Sequence, residues 1–199
     1  MLRASAFLLL AGATLGSLLD AIHTHTGTTR YAAPLFFLAA WWTPPLFAAA
    51  ALAIGLQRSL FTRWSGRAAP PPRGARVALA MALFVVAYAA SGLLSFGWAG
   101  KSALLGALFA VTFWLCDRTL LGLGLAALTA FGGWSVEATL VHHGLFFHKD
   151  TEILGVAAWI PWLYATAAVA VGALGTWLVP PAPSPGASLP DSTAPVRAA

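Results

Sequence analysis

A chain of 199 residues that is 59% hydrophobic and only 9% charged lacks the polar surface of a water-soluble domain, in which about a quarter of residues are charged. Its mean hydropathy of +0.80 matches a bilayer environment, where one helical span takes roughly 20 apolar residues. The alternating apolar and polar strands of a membrane β-barrel are absent, and the net charge of +5 is accounted for by arginines at the ends of apolar runs, without any nucleic-acid partner.

In chain order the apolar runs predict six helices, over 4–22, 33–57, 76–96, 99–116, 120–143 and 155–178. The first has a basic start and small residues near Ala11–Ala13, features shared with cleaved leaders. Its apolar run continues to Leu19, so a retained helix is expected. Residues 58–75, "RSLFTRWSGRAAPPPRGA", read as an arginine-rich loop in which a Pro-Pro-Pro run forbids helix. The stretch from Pro180, "PPAPSPGASLPDSTAPVRAA", has no periodicity and reads as a disordered tail over 180–199. The expected architecture is therefore all-α, with one six-helix membrane domain over 1–179.

Charge orients these helices. A cytoplasmic N-terminus collects Arg3, Arg58, Arg63, Arg67, Arg73, Arg76, Arg118 and Arg197 on one side and leaves Arg30, Lys101 and Lys149 on the other. That asymmetry obeys the positive-inside rule and predicts that both termini are cytoplasmic. The lone Cys116 allows no internal disulfide.

Charged groups inside spans are costly and mark functional hypotheses. Asp20 ends the first helix, and Glu137 lies about 25 Å along the fifth, on the same side. His23, His25, His142, His143 and His148 gather there too, with Asp150 and Glu152. Imidazole and carboxylate are the usual ligands of zinc and iron. Asp20, His23, His25, Glu137, His142 and His143 are therefore the set for an alternative reading, a metal-dependent membrane enzyme acting on a lipid or carotenoid. No HxxxH, HxxHH or HExxH box supports it, and interfacial capping explains the same residues. Glu137 as a proton carrier is a further alternative.

The second predicted helix contains "AAWWTPP", and prolines in a helix interior free carbonyls that must not face lipid. Pro44 and Pro45 are thus expected to kink it and release the carbonyls of Ala40 and Trp41. "AAWIPW" repeats the pattern in the sixth helix: with Pro44 aligned to Pro161, residues 44–55 and 161–172 agree at seven of twelve positions, ending at Gly55 and Gly172. Two kinked helices that cannot pack flush leave a gap in the bundle. Trp41, Trp42, Pro44, Phe47, Trp159, Trp162 and Tyr164 are the expected wall of a cavity there.

The ordered set "AAWWTPP", "AIGL", "FWLCDRTLLGLGL", "WIPW" and "GALGTWL" resembles the Insig family, the insulin-induced-gene proteins of the endoplasmic reticulum and their bacterial relatives. The resemblance is carried by Trp41, Trp42, Pro44, Pro45, Ile54, Gly55, Leu56, Asp117, Arg118, Gly122, Gly124, Leu125, Gly144, Trp159, Pro161, Gly172, Gly175 and Leu178. It implies a six-helix fold with both termini cytoplasmic and a central lipid cavity; the leading reading is a non-enzymatic lipid-binding protein without a cofactor, a lipid sensor or regulator acting through a membrane partner. Eukaryotic members use that cavity for oxysterol and bind sterol-sensing-domain proteins. By the same resemblance Asp117, with Arg118, serves partner binding, and the third and fourth helices form an association surface for self-assembly. A diacylglycerol, hopanoid or other isoprenoid is the implied ligand class in a bacterial inner membrane.

Overall fold

The computed structural model describes residues 1–65 and 71–179. Six helices are long and apolar enough to cross a membrane: α1 (Leu2–His25), α2 (Thr43–Ser65), α3 (Gly74–Leu93), α4 (Trp98–Cys116), α5 (Leu120–His142) and α6 (Ile160–Leu178). Two short strands, β1 (Thr29–Tyr31) and β2 (Phe146–His148), follow α1 and α5 and pair antiparallel. The expected membrane protein of six helices is what the chain forms. The tail over 180–199 and Arg67 fall outside the described residues.

α6 is the core of the bundle. In its spanning window 72% of residues are buried, against 17–33% in the other five helices. Small side chains make this possible: Ala170 and Val169 meet Ala80 of α3 and Cys116 of α4, and Ala165 and Ala168 meet Ala126 of α5. Against α2 the contact is backbone to backbone. A Cβ placed on Gly175 would lie 1.8 Å from the Gly55 carbonyl oxygen, so only glycine permits this crossing, as is common between membrane helices. On the opposite side of α2, α1 opens into a π-helical turn at Gly12–Gly16. There a Cβ on Gly12 would stand 2.3 Å from the Phe47 carbonyl oxygen.

The structure corrects the expected proline kinks. The second helix begins at Thr43 rather than 33 and continues to Ser65, beyond the expected 57. The sixth begins at Ile160, with Pro161 in its first turn. Pro44, Pro45 and Pro161 thus occupy positions whose N–H groups have no intrahelical acceptor in any helix, and their fixed φ suits a helix start. The Ala40 carbonyl is not freed, since it accepts from the Thr43 N–H at 3.1 Å. Ahead of each helix the chain makes a tight reversal instead. Phe36 bridges Ala39 and Ile153 bridges Val156, around Phe37 and Leu38 (φ 51° and 60°) and Leu154 and Gly155 (φ 52° and 79°).

These two reversals are one feature seen twice. Adding 117 to the residue numbers of the α1–β1–α2 unit gives those of the α5–β2–α6 unit, and the local geometry follows. Gly27 and Gly144 both turn with positive φ, 70° and 67°. Gly16 receives the Phe47 ring as Gly133 receives Tyr164, with a Cβ at either glycine coming within 2.9 Å and 2.4 Å of its partner. The strand register pairs Arg30 with Phe147, and Thr29 with His148 as Tyr31 with Phe146. The Ala32 N–H donates to Leu145 O at 3.1 Å while the Lys149 N–H donates to Thr28 O at 2.9 Å. Each of these contacts is exchanged with its mate by the same shift, so the two helix–reversal–helix units are related by an approximate two-fold axis through the Arg30–Phe147 pair. The seven-of-twelve echo in the sequence is the visible part of this repeat. α3 and α4 have no counterpart and pack on α6.

Candidate functional site

Two acids lie near the strand end of the bundle, at mated positions of the repeat. Asp20, 3% exposed, accepts a hydrogen bond of 2.8 Å from the Tyr31 hydroxyl. Burial, with the Asp20 charge beside it, pushes the Tyr31 hydroxyl well above the ordinary phenol range, so it remains a donor. The mates are Glu137 and His148: Nε2 of His148 stands 2.8 Å from Glu137 Oε2. Tyr164 adds a 2.7 Å hydrogen bond to Glu137 Oε1. Both ring nitrogens of His148 and Glu137 Oε2 are buried, and none of the three makes a hydrogen bond of good geometry among the described residues. Each acid is therefore held by a phenol, and Glu137 has an imidazole beside it as well.

The rest of the histidine group disperses. His23 turns inward, its Nε2 2.8 Å from the Ser91 hydroxyl and its ring stacked on Tyr88 at 4.6 Å. His25 bonds its own helix at the Ala21 carbonyl. His142 and His143 are exposed and contact each other edge to face at 5.2 Å. Among the described residues no three of His, Cys, Asp and Glu gather to hold a metal ion.

The residues expected to wall one cavity are likewise distributed. Trp41 is 71% exposed and Trp159 is fully buried in the core. The Trp159 indole N–H donates to Asp150 Oδ2 at 3.2 Å. Trp42 packs on Tyr31 at 5.2 Å, Phe47 and Tyr164 fill glycine notches in α1 and α5, and Pro44 opens α2. Trp162 alone of the set lines an apolar cavity of about 180 Å³, with Pro161 and Ala165 of α6, Phe109 of α4, and Leu123, Ala126, Ala127 and Ala130 of α5. The sequence signal for this cavity is the alanine run of α5, which leaves room where α4 and α6 approach it.

At the opposite end, Asp117 is enclosed: its side chain is 4% exposed. The Arg58 guanidinium of α2 donates to both of its oxygens. The Thr119 N–H and hydroxyl also donate to it. Thr119 in turn caps α5, accepting from the Gly122 N–H at 2.9 Å. A Cβ on Gly122 would strike the Asp117 carboxylate at 2.0 Å. Arg118, with φ 64°, is exposed and lies over the Trp114 ring at 4.4 Å. Nothing in the sequence spacing links Arg58 of α2 to the α4–α5 turn 59 residues away.

No protein-family model matches the chain. It is 28% identical over 183 residues to insulin-induced gene 1 protein of Xenopus tropicalis, covering 89% of this chain and 73% of that protein. The Xenopus laevis protein of the same name is 31% identical over 147 residues, covering 71% of this chain and 57% of the relative. The crystal structure of MvINS, a mycobacterial Insig homologue from Mycobacterium vanbaalenii, superposes with a TM-score of 0.76 at 26% identity, over 88% of this chain and 93% of that one. The chain is an Insig homologue of the bacterial type. The Insig homologue is accordingly an integral membrane protein, and its six-helix fold is the one that the sequence resemblance implies. MvINS has also been crystallised as a cross-linked trimer, with the same TM-score of 0.76.

Proposed function

We propose that this Insig homologue is a non-enzymatic lipid-binding protein of a bacterial inner membrane, which holds part of a neutral lipid between α4, α5 and α6. The observation that carries this reading is the cavity of about 180 Å³ lined by Trp162, Phe109 and the α5 alanines, with no polar group on its wall. An apolar cavity next to lipid accepts an alkyl or isoprenoid chain, since nothing in it rewards a polar ligand. Diacylglycerol, hopanoid and sterol-like lipids share such a chain or ring system.

The test is lipid extraction from purified protein followed by mass spectrometry. An enriched neutral species is expected in the wild type, and Ala130→Phe, which fills the cavity, is expected to reduce it several-fold. A lipid profile identical to the bulk membrane, or unchanged in Ala130→Phe with folding intact, overturns the reading.

Partner contact and self-association fit the same picture. The cross-linked trimer of MvINS supports a homo-oligomer, with α3 and α4 as the association surface. Val85, Val86, Val111 and Trp114 are exposed there. Asp117 then acts by shaping the α4–α5 turn through Arg58, while Arg118 is the residue a partner meets. The arginine asymmetry supports both termini on the cytoplasmic side.

A further inference from the structure

The two lysines of the chain, Lys101 and Lys149, meet at one polar cavity of about 100 Å³ near the strand end. Its walls come from four places in the fold: Thr26 and Thr28 after α1, Ser95 between α3 and α4, Lys101 in α4, and Lys149 and Asp150 after β2. The Lys149 backbone is fixed there by its N–H bond to Thr28 O at 2.9 Å.

The cavity is short of negative charge. Two lysines and one aspartate line it, and Asp150 Oδ2 also accepts from the Trp159 indole, while the Glu152 carboxylate, whose charge reaches Lys101, is engaged by the Ala158 N–H. Lys101 is 6% exposed, yet its Nζ lies 3.9 Å from Asp150 Oδ2, beyond hydrogen-bond reach. Nζ also lies over the Trp159 ring at 5.4 Å, which leaves donors of the ammonium open to the cavity. The setting increases the deficit: Lys101 is in the first turns of α4, whose N-cap is Gly97 with no side-chain cap and no acid in the first turn. A helix start carries partial positive charge, which adds to that of the lysine.

We propose that this cavity binds the phosphate group of an anionic ligand, held between Lys101 and Lys149. A phosphate fits the volume, and charge-assisted bonds from two ammonium groups supply the hydrogen bonds that Lys101 lacks. The rim carries Leu94 and Phe96, 39% and 53% exposed, which suits a headgroup whose chains run alongside the protein. This site is separate from the apolar cavity and does not depend on the neutral-lipid reading.

Calorimetric titration of the detergent-solubilised full chain tests it with dioctanoyl phosphatidic acid, inorganic phosphate and dioctanoylglycerol, which carries the same chains without the phosphate. Phosphatidic acid is expected to bind more tightly than dioctanoylglycerol, with an affinity that falls as salt rises. Lys149→Ala, at an exposed position, is expected to leave the thermal midpoint unchanged and to weaken binding about tenfold or more, and Lys101→Met is expected to weaken it likewise. Saturable binding of inorganic phosphate, lost in Lys149→Ala, supports the site and identifies free phosphate as a source; binding of phosphatidic acid alone supports it and identifies a lipid headgroup. Equal affinity for phosphatidic acid and dioctanoylglycerol, no binding of either phosphate probe, or an unchanged affinity in Lys149→Ala overturns the proposal.

Discussion

Arg58 closing on Asp117 couples the start of α5 to the far end of α2, and it does so with nearly buried charges. Removing one member of a buried pair leaves the other desolvated, at a cost of roughly 3–5 kcal/mol. Arg58→Ala is therefore expected to lower the thermal midpoint of the detergent-solubilised protein by more than Arg58→Ala combined with Asp117→Ala; a scanning fluorescence melt compares them, and additive losses would count against the coupling. The mated acids at the strand end differ in the same currency of partners. Asp20 rests on a phenol that keeps its proton, whereas Glu137 faces an imidazole as well as a phenol. None of these pairings was legible in advance. Asp20 and Glu137 stand out in the sequence as acids in apolar runs, but Tyr31 and His148 reach them through folding of the reversals, and no local pattern encodes that reach. The shift of 117, once extended beyond the alanine-rich 44–55 window back to residue 20, makes Asp20 the mate of Glu137 and Tyr31 the mate of His148 but does not say that they touch.

At the scale of elements, the sequence specifies spans better than ends. Apolar length alone located all six helices, because a bilayer imposes it. The starts of α2 and α6 were misplaced because a proline is compatible with two situations, a kink within a helix and a first turn. The apolar residues 33–42 do not distinguish them by hydropathy; the left-handed pair Phe37–Leu38 does, by turning the chain back before α2. Helix packing then rests on glycine. Gly175→Ala must displace the Gly55 carbonyl, and is expected to cost at least about 3 kcal/mol, the upper part of the overpacking range, read as loss of monodisperse protein on size-exclusion chromatography. Gly16→Ala and Gly133→Ala meet ring atoms of Phe47 and Tyr164 and are expected to destabilise less, by about 1–3 kcal/mol, and comparably with each other, as mates should.

For the whole molecule, the distribution of burial predicts the distribution of stability. α6 contacts α2, α3, α4 and α5 and is the most enclosed helix, so its amides are expected to exchange with deuterium last, near the global opening free energy. α1, with few buried positions and a π-helical interruption, is expected to exchange among the first. Exchange of α6 ahead of α1 would contradict this picture.

The unpaired position of α3 and α4 in the duplicated frame has a design meaning. The repeat units brace each other through α2 against α6 and through their strands, while the α3–α4 hairpin leans on one side of α6 and has no mate to stay in step with. A chain organised this way separates a chassis from a cassette. Substitutions on the lipid-facing side of the hairpin alter whatever docks there without having to be matched elsewhere, whereas a change at any mated position of the chassis is felt across the axis.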